Sequence, residues 1–245
     1  MIFAGVPQGT PEAGLDPRIR MVVAHGDDNL VLAQRLGELI SWAPELEIDI
    51  ALGNIALDHL GVARALYTHA GEVEGAGRTE DDFAMRRTER EFLNLLLVEQ
   101  PDGDFAHTIV RQFFFDVYQR LLWADLATAD DSTLAGIASR AAKEAAYHHE
   151  FTSSWVIRLG DGTEESHARM QTAVDGLWRF TGELSAPYPD VWRHQVETTL
   201  NEAGLTIPDD PYQRTGGRDG YHTEHLGHLL AEMQWMERAY PGLEW

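Results

Sequence analysis

The sequence contains no cysteine, which excludes a disulfide framework, a thiolate metal site and a thiol nucleophile. Positive charge is scarce: 19 Lys and Arg stand against 40 Asp and Glu, for a formal net charge of −21. Phosphate backbones call for a basic surface, so nucleic acid is excluded as a partner, and so are anionic membrane surfaces. Lysine is nearly missing. Lys143 is the single one, and the remaining positive charge is arginine. No apolar run reaches the roughly 20 residues of a membrane-spanning helix, and the first residues lack the charged start and apolar core of a signal peptide. Strand-like alternation, low-complexity tracts and short repeats are absent as well. These gaps predict an acidic, soluble protein of a reducing cytoplasm.

What is present is helical periodicity. The chain of 245 residues is long enough to bury a sizeable core. Residues 1–24 carry Gly5, Pro7, Gly9, Pro11, Gly14 and Pro17 without periodicity and read as a tail, with Met21 a candidate natural start. Asp27 or Asp28 is expected to cap a first helix near 27–43, whose apolar positions are Leu32, Leu36, Leu39 and Ile40. Pro44 suits the first turn of a second helix, 44–71, in which Ile48, Leu52, Ile55, His59, Val62 and Leu66 recur at spacings of three and four. The short connection predicts antiparallel neighbours.

A helix is expected over 82–98 with Phe83, Phe92, Leu95 and Leu96 inward. A further helix follows over 104–128, capped by Asp104, and Ser132 opens another that runs to residue 160. Helices over 163–184, 190–203 and 223–239 should pack outside these. The predicted class is all-α: four long core helices within one domain, 25–245.

The chemistry concentrates in Lys143-Glu144-Ala145-Ala146-Tyr147-His148. Di-iron carboxylate bundles take one carboxylate from each of two helices and a Glu-x-x-His pair from each of two others, because hard oxygen ligands and imidazole suit iron and residues three apart share a helix face. Aligned on that scheme, the four long helices offer Glu38, then Asp58 with Gly61 three places on, then Asp116, then Glu144 with Tyr147 three places on. All four carboxylate positions stay acidic and both imidazole positions are lost. His59 and His148 each fall one residue out of phase, which is about 100° around a helix. His148 also lies four after Glu144, so a rebuilt site is an alternative. The expectation is a relict metal site turned polar core, its buried carboxylates balanced by Arg35, Arg64, Arg111, Arg120, Tyr147 or His148. His222, His225 and His228 are a weaker metal candidate and read as polar contacts. Gly216-Gly217 with Arg218 lacks the Lys-Ser/Thr ending of a phosphate loop.

Several stretches resemble one family. These are residues 30–38 (LVLAQRLGE), 43–49 (APELEID), 94–101 (NLLLVEQP), Lys143-Glu144-Ala145 with Tyr147-His148, 177–181 (LWRFT), 214–217 (RTGG) and 222–227 (HTEHLG). Together they resemble the C subunit of bacterial ring-1,2-phenylacetyl-CoA epoxidase, also called phenylacetate-CoA oxygenase, over about residues 25 to 245. The resemblance implies a ferritin-like fold. It implies a homologous A subunit that holds the di-iron centre and epoxidises phenylacetyl-CoA with O2. The chain itself is then a structural subunit that pairs with A, with no cofactor of its own and no activity alone, and a possible homodimer when alone. Surface apolar groups such as Trp42, Trp155, Trp178 or Trp235 are expected at the interface. The competing readings are an independent di-iron or di-manganese oxygenase or oxidase using Glu38, Asp58, Asp116, Glu144 and His148, and a ferritin-like iron store.

Overall fold

The computed structural model describes residues 14–209 and 212–241, and among them every regular element is helical. The helices are α1 (Pro17–Glu38), α2 (Leu46–Glu74), α3 (Glu80–Met85), α4 (Phe105–Leu126), α5 (Ser132–Gly160), α6 (Glu164–Trp178), α7 (Gly182–Ser185), α8 (Pro189–Glu202), α9 (Glu224–Met233) and α10 (Trp235–Ala239). α1, α2, α4 and α5 form the four-helix core. α1 lies along α2, α4 lies along α5, and α2 meets α5 across the bundle. α6 and α8 cover α4 and α5, and α9 covers α1. No helix among the described residues is long and apolar enough to cross a membrane.

Capping places several boundaries where the sequence suggests them. Asp104 accepts from His107 N at 3.0 Å, and Asp131 accepts from Thr133 N and Leu134 N at 2.9 and 3.0 Å, so helix-start donors are satisfied by side chains. Gly75 ends α2 in the left-handed region at φ 67°, its N–H bonded to Gly71 O.

Four expectations need correction. The first helix begins at Pro17, not at 27, with Asp16 as its cap; residues 1–13 of the expected tail lie outside the described residues. Asp27 and Asp28 sit in mid-helix, fully buried. Their carboxylates explain the second difference. Residues 92–100 are buried on all sides and irregular, although the sequence pattern predicts a helix over 82–98. Leu93 N donates to Asp27 Oδ2 at 2.8 Å, Leu95 N to Asp28 Oδ1 at 2.8 Å and Leu96 N to Glu183 Oε2 at 3.2 Å. Side-chain carboxylates thus take donors that a helix would have satisfied internally. Phe83, Phe92, Leu95 and Leu96 are buried as expected. Third, the helix expected over 163–184 breaks between α6 and α7. Fourth, the last one breaks at Gln234, whose amide donates to Ala84 O and Arg87 O, both at 3.0 Å.

Arginines close the same buried polar layer. Arg87 pairs with Asp27, which also accepts from Tyr67 Oη at 2.6 Å. Arg218 grips Asp28 through both carboxylate oxygens at 2.9 and 2.7 Å. His222 donates Nδ1–H to Glu99 Oε2 and Nε2–H to Phe92 O, each at 2.8 Å. Two acceptors require two ring protons, so His222 is an imidazolium. Burial alone would lower its pKa, but the Glu99 hydrogen bond and charge raise it above the ordinary value. Gly216 N and Gly217 N donate to Glu183 Oε1 at 2.8 and 2.9 Å; this glycine pair binds an internal carboxylate. The 214–223 segment is thereby tied to α1 and to the irregular 92–100 stretch.

Candidate functional site

The centre of the bundle is built by inward stripes. On α2 the stripe is Ile55, His59, Val62 and Leu66; on α5 it is Ala138, Ala141, Ala145, His148 and Thr152, all buried. α4 contributes Gln112, Asp116 and Gln119, and α1 contributes Asn29, likewise buried. Spacings of three and four put each set on one face.

His59, Asp116 and His148 meet here. One ligand-type atom of each lies within 4.8 Å of the others, and the two imidazole centroids are 5.1 Å apart. Hydrogen bonds fix the protonation of the group. Asn29 Nδ2 donates to His25 O at 2.8 Å, which leaves Asn29 Oδ1 to accept from His59 Nδ1–H at 2.8 Å. His59 Nε2 then carries the lone pair, met by Gln112 Nε2 at 3.1 Å. Burial, with the nearby His148, holds the His59 pKa well below its ordinary value, so the ring is neutral. His148 Nε2 donates to Asp58 Oδ2 at 3.0 Å. Burial lowers the His148 pKa, and the Asp58 hydrogen bond opposes that shift.

Asp116 is the carboxyl group at the heart of the site, fully buried. Gln112 Nε2 lies 2.7 Å from its Oδ1 and Thr152 Oγ1 lies 2.8 Å from its Oδ2. Burial pushes its pKa up to about 8, against the lowering effect of Thr152 and Gln112. The Thr152 hydroxyl has one proton and is also 3.0 Å from His148 O. A protonated Asp116 satisfies both contacts: the acid donates to Thr152, and Thr152 donates to the carbonyl. A separate cavity beside His59, His148, Asn29 and Gln119 is about 10 Å3, room for about one water molecule.

The positions expected from sequence divide. Asp116 and His148 reach the centre. Asp58 and Glu144 border the cavity at the α2–α5 seam, where Asp58 bonds His148 and Glu144 pairs with Arg140 at 3.0 Å. Glu38 does not belong to the site. It lies at the end of α1, 3.0 Å from Arg35, beside an open 450 Å3 cleft that Trp42 and Asp102 help line. Asn29 occupies the α1 position instead. Gly61 and Tyr147 face outward, Gly61 exposed with open space at its Cβ and Tyr147 55% exposed. The phase assigned to His59 and His148 is therefore corrected: they face the centre, and the residues three after Asp58 and Glu144 do not. The signal was in the sequence, because His59 belongs to the apolar stripe of α2.

Of the expected partners, Arg35 pairs with Glu38 and His148 with Asp58, each at 3.0 Å, but among the described residues no arginine reaches Asp116. Arg35 binds Glu38 and Glu99 O, Arg64 binds Glu80, Arg111 binds Asp102 and Arg120 reaches His149. Burial instead raises the Asp116 pKa to about 8, which favours the protonated carboxyl at neutral pH. His222, His225 and His228 do not converge: His222 is committed to Glu99 and Phe92, and His228 faces solvent.

The donor set fits a di-iron centre poorly. Such a centre needs carboxylates from all four helices. α1 supplies an amide, Asp58 and Glu144 are engaged at the seam, and Asp116 alone points inward as a carboxyl. His59, Asp116 and His148 fit a single ion better, at the cost of the Gln112 and Asp58 hydrogen bonds.

Comparison with known proteins gives two findings. A family model described as phenylacetic acid catabolic protein matches residues 4–191 and 189–245. A curated protein of Escherichia coli (strain K12), named as the C subunit of 1,2-phenylacetyl-CoA epoxidase, is 48% identical over 238 residues. The match covers 90% of this chain and 96% of the relative.

Proposed function

The chain belongs to the phenylacetic acid catabolic protein family, and we propose that it acts there as a non-catalytic structural subunit. In this reading it binds and stabilises the di-iron A subunit of a phenylacetyl-CoA 1,2-epoxidase complex in aerobic phenylacetate catabolism, and works in the cytoplasm. The similarity to the C subunit of an epoxidase supports membership of such a complex. The observation that carries the non-catalytic role is that His59, Asp116 and His148 are each engaged by neighbouring side chains, although Gln112 Oε1 and Gln119 Nε2 have no hydrogen-bond partner among the described residues. Asn29, Gln112 and Thr152 hydrogen-bond His59 and Asp116, and the cavity beside His59 and His148 is only about 10 Å3. A polar core of this kind holds four helices in one register without offering an open coordination position.

A second reading has one observation in its favour, the convergence of His59, Asp116 and His148 within 4.8 Å. Two imidazoles and a carboxylate on three helices could hold one transition-metal ion. Metal analysis of protein expressed alone with added iron, together with co-purification with the A subunit, separates the two. Near-zero metal with a stable complex is the expected result. Stoichiometric metal that is lost in His148→Ala would overturn the non-catalytic reading. Failure to associate with the A subunit would overturn the structural role.

A further inference from the structure

The open 450 Å3 cleft between the end of α1, the start of α2 and the start of α4 has polar atoms on its wall that the chain does not satisfy. Thr108 is fully buried and lines the cleft, and its Oγ1 has no hydrogen-bond partner among the described residues. Asp102 gives Oδ1 to Arg111 Nη2 at 2.6 Å, but its buried Oδ2 has no such partner either. Buried polar atoms are rarely left unpaired, because the hydration they lose is then not replaced. Burial raises the Asp102 pKa even with the Arg111 charge beside it, so that one guanidinium does not fully compensate the carboxylate.

The cleft also holds an indole. Trp42 is 81% exposed, more than any other large apolar side chain described. It follows Ser41, the one non-glycine residue described with a positive φ, 77°. Ser41 N donates to Asp49 Oδ1 at 2.8 Å. A serine keeps this left-handed conformation only where its surroundings impose it, so the turn presents Trp42 to solvent under constraint. Leu39, Leu52 and Phe105 complete the apolar lining.

The lining selects the chemistry of a ligand. Its charged groups are Glu38, Asp102 and Asp104, and it contains no arginine or lysine. Arg35 and Arg111, which pair with the first two, are buried outside it, and Arg169 reaches Asp104 at 3.4 Å. These arginines balance the charge; the vacancy is in hydrogen bonds, at Asp102 Oδ2 and Thr108 Oγ1. A carboxylate oxygen only accepts and a hydroxyl oxygen can accept, so the vacancy calls for N–H donors and turns away phosphates. Between the two common cationic donors, ammonium is a strongly hydrated point charge. Guanidinium is planar, weakly hydrated and stacks on an indole.

We propose that this cleft binds an alkylguanidinium group, with N–H donors to Asp102 Oδ2 and Thr108 Oγ1, its plane on the Trp42 indole and its stem against Leu39, Leu52 and Phe105. A free guanidinium metabolite and an arginine side chain of another subunit share this chemistry.

The test is 19F NMR of the full chain carrying 5-fluorotryptophan, with the Trp42 resonance assigned by its loss in Trp42→Phe. Butylguanidinium chloride is the probe; butylammonium chloride and 1-pentanol are comparisons of similar size. Butylguanidinium should move the Trp42 resonance saturably in the millimolar range, butylammonium should bind more weakly, and 1-pentanol should leave the resonance in place. Asp102→Asn keeps an oxygen for Arg111 and puts an amide donor at the Oδ2 position, and Thr108→Val removes the hydroxyl at nearly constant shape. Each should weaken binding by about tenfold, with circular dichroism and melting temperature showing that the variant is folded. Glu144→Gln on α5 should change nothing. The A subunit separates the two sources. An arginine of that subunit would shift the Trp42 resonance, exclude the probe and bind less well to Asp102→Asn, whereas a free metabolite would leave the cleft open to the probe in the complex. Equal binding of butylammonium or 1-pentanol would overturn the guanidinium assignment. No saturable shift in wild type, or unchanged affinity in folded Asp102→Asn and Thr108→Val, would overturn the site, and water would then meet the vacant atoms.

Discussion

The proton on Asp116 can be tested through stability. Its carboxyl titrates near pH 8 in the folded chain, against an ordinary value of 3.8. Between those limits the folded state holds more protons than the unfolded state. Stability therefore falls as pH rises through that window, by about 1.4 kcal/mol per pH unit from this group, and the contribution is flat outside it. Summed to pH 7 the penalty is about 4 kcal/mol, an upper bound because a real site relaxes around a charge. Asp116→Asn removes the titration and keeps both partners: its amide can donate to Thr152 and accept from Gln112. Urea unfolding of both proteins from pH 5 to pH 8 should show the variant gaining on wild type steadily with pH. Subtracting the two curves cancels the other titrating groups, including His59 and His148. A variant that is less stable than wild type at pH 7, by a margin independent of pH, would refute the argument. It would mean that Asp116 is ionised and paired, as it would be around a metal.

His222→Gln removes an ion pair whose Glu99 is fully buried and should destabilise by about 3 kcal/mol near pH 6. The raised histidine pKa makes this contribution complete below the unfolded value of 6.5 and lost as pH rises through the folded one. The difference from wild type in a thermal melt should therefore shrink in alkaline buffer, and a difference that grows would contradict the imidazolium assignment. Gly61→Ala fills open space on a helix and should stabilise by about 0.5–1 kcal/mol, a rise of about 2 °C in Tm; a loss of stability would mean that the position is packed. Gly61→His should leave metal content unchanged, since a side chain there points away from Asp116. Uptake of iron by that variant would show that the outward assignment of residue 61 is wrong.

Much of the fold was legible in the sequence because the relevant forces are local. The periods of α2, α4 and α5, the cap Asp104 and the helix start at Ser132 predict those helices within a few residues. The site was half legible. His59 sits in the apolar stripe of α2, so its inward direction follows from spacing alone, yet an alignment anchored on Asp58 turns it away. Asn29 carried no signal as a site residue, because a buried amide on α1 becomes meaningful only when His59 of α2 stands 2.8 Å away. Trp178, expected on the surface, is buried with Phe114 and Trp192; Trp42 and Trp235 are exposed and Trp155 half-buried.

By itself, then, the amino-acid order determined an acidic, cysteine-free, all-helical chain with four long amphipathic helices, since hydrophobic period and capping act over a few residues. The tertiary structure decided which polar groups meet. Asp27 and Asp28 look like helix caps until the 92–100 segment, more than sixty positions on, brings its backbone donors to them. Asp116 looks like an ionised ligand until burial on all sides, with no cationic side chain among the described residues beside it, raises its pKa. Both outcomes depend on desolvation and on contacts between distant segments, and these exist only once the helices have packed.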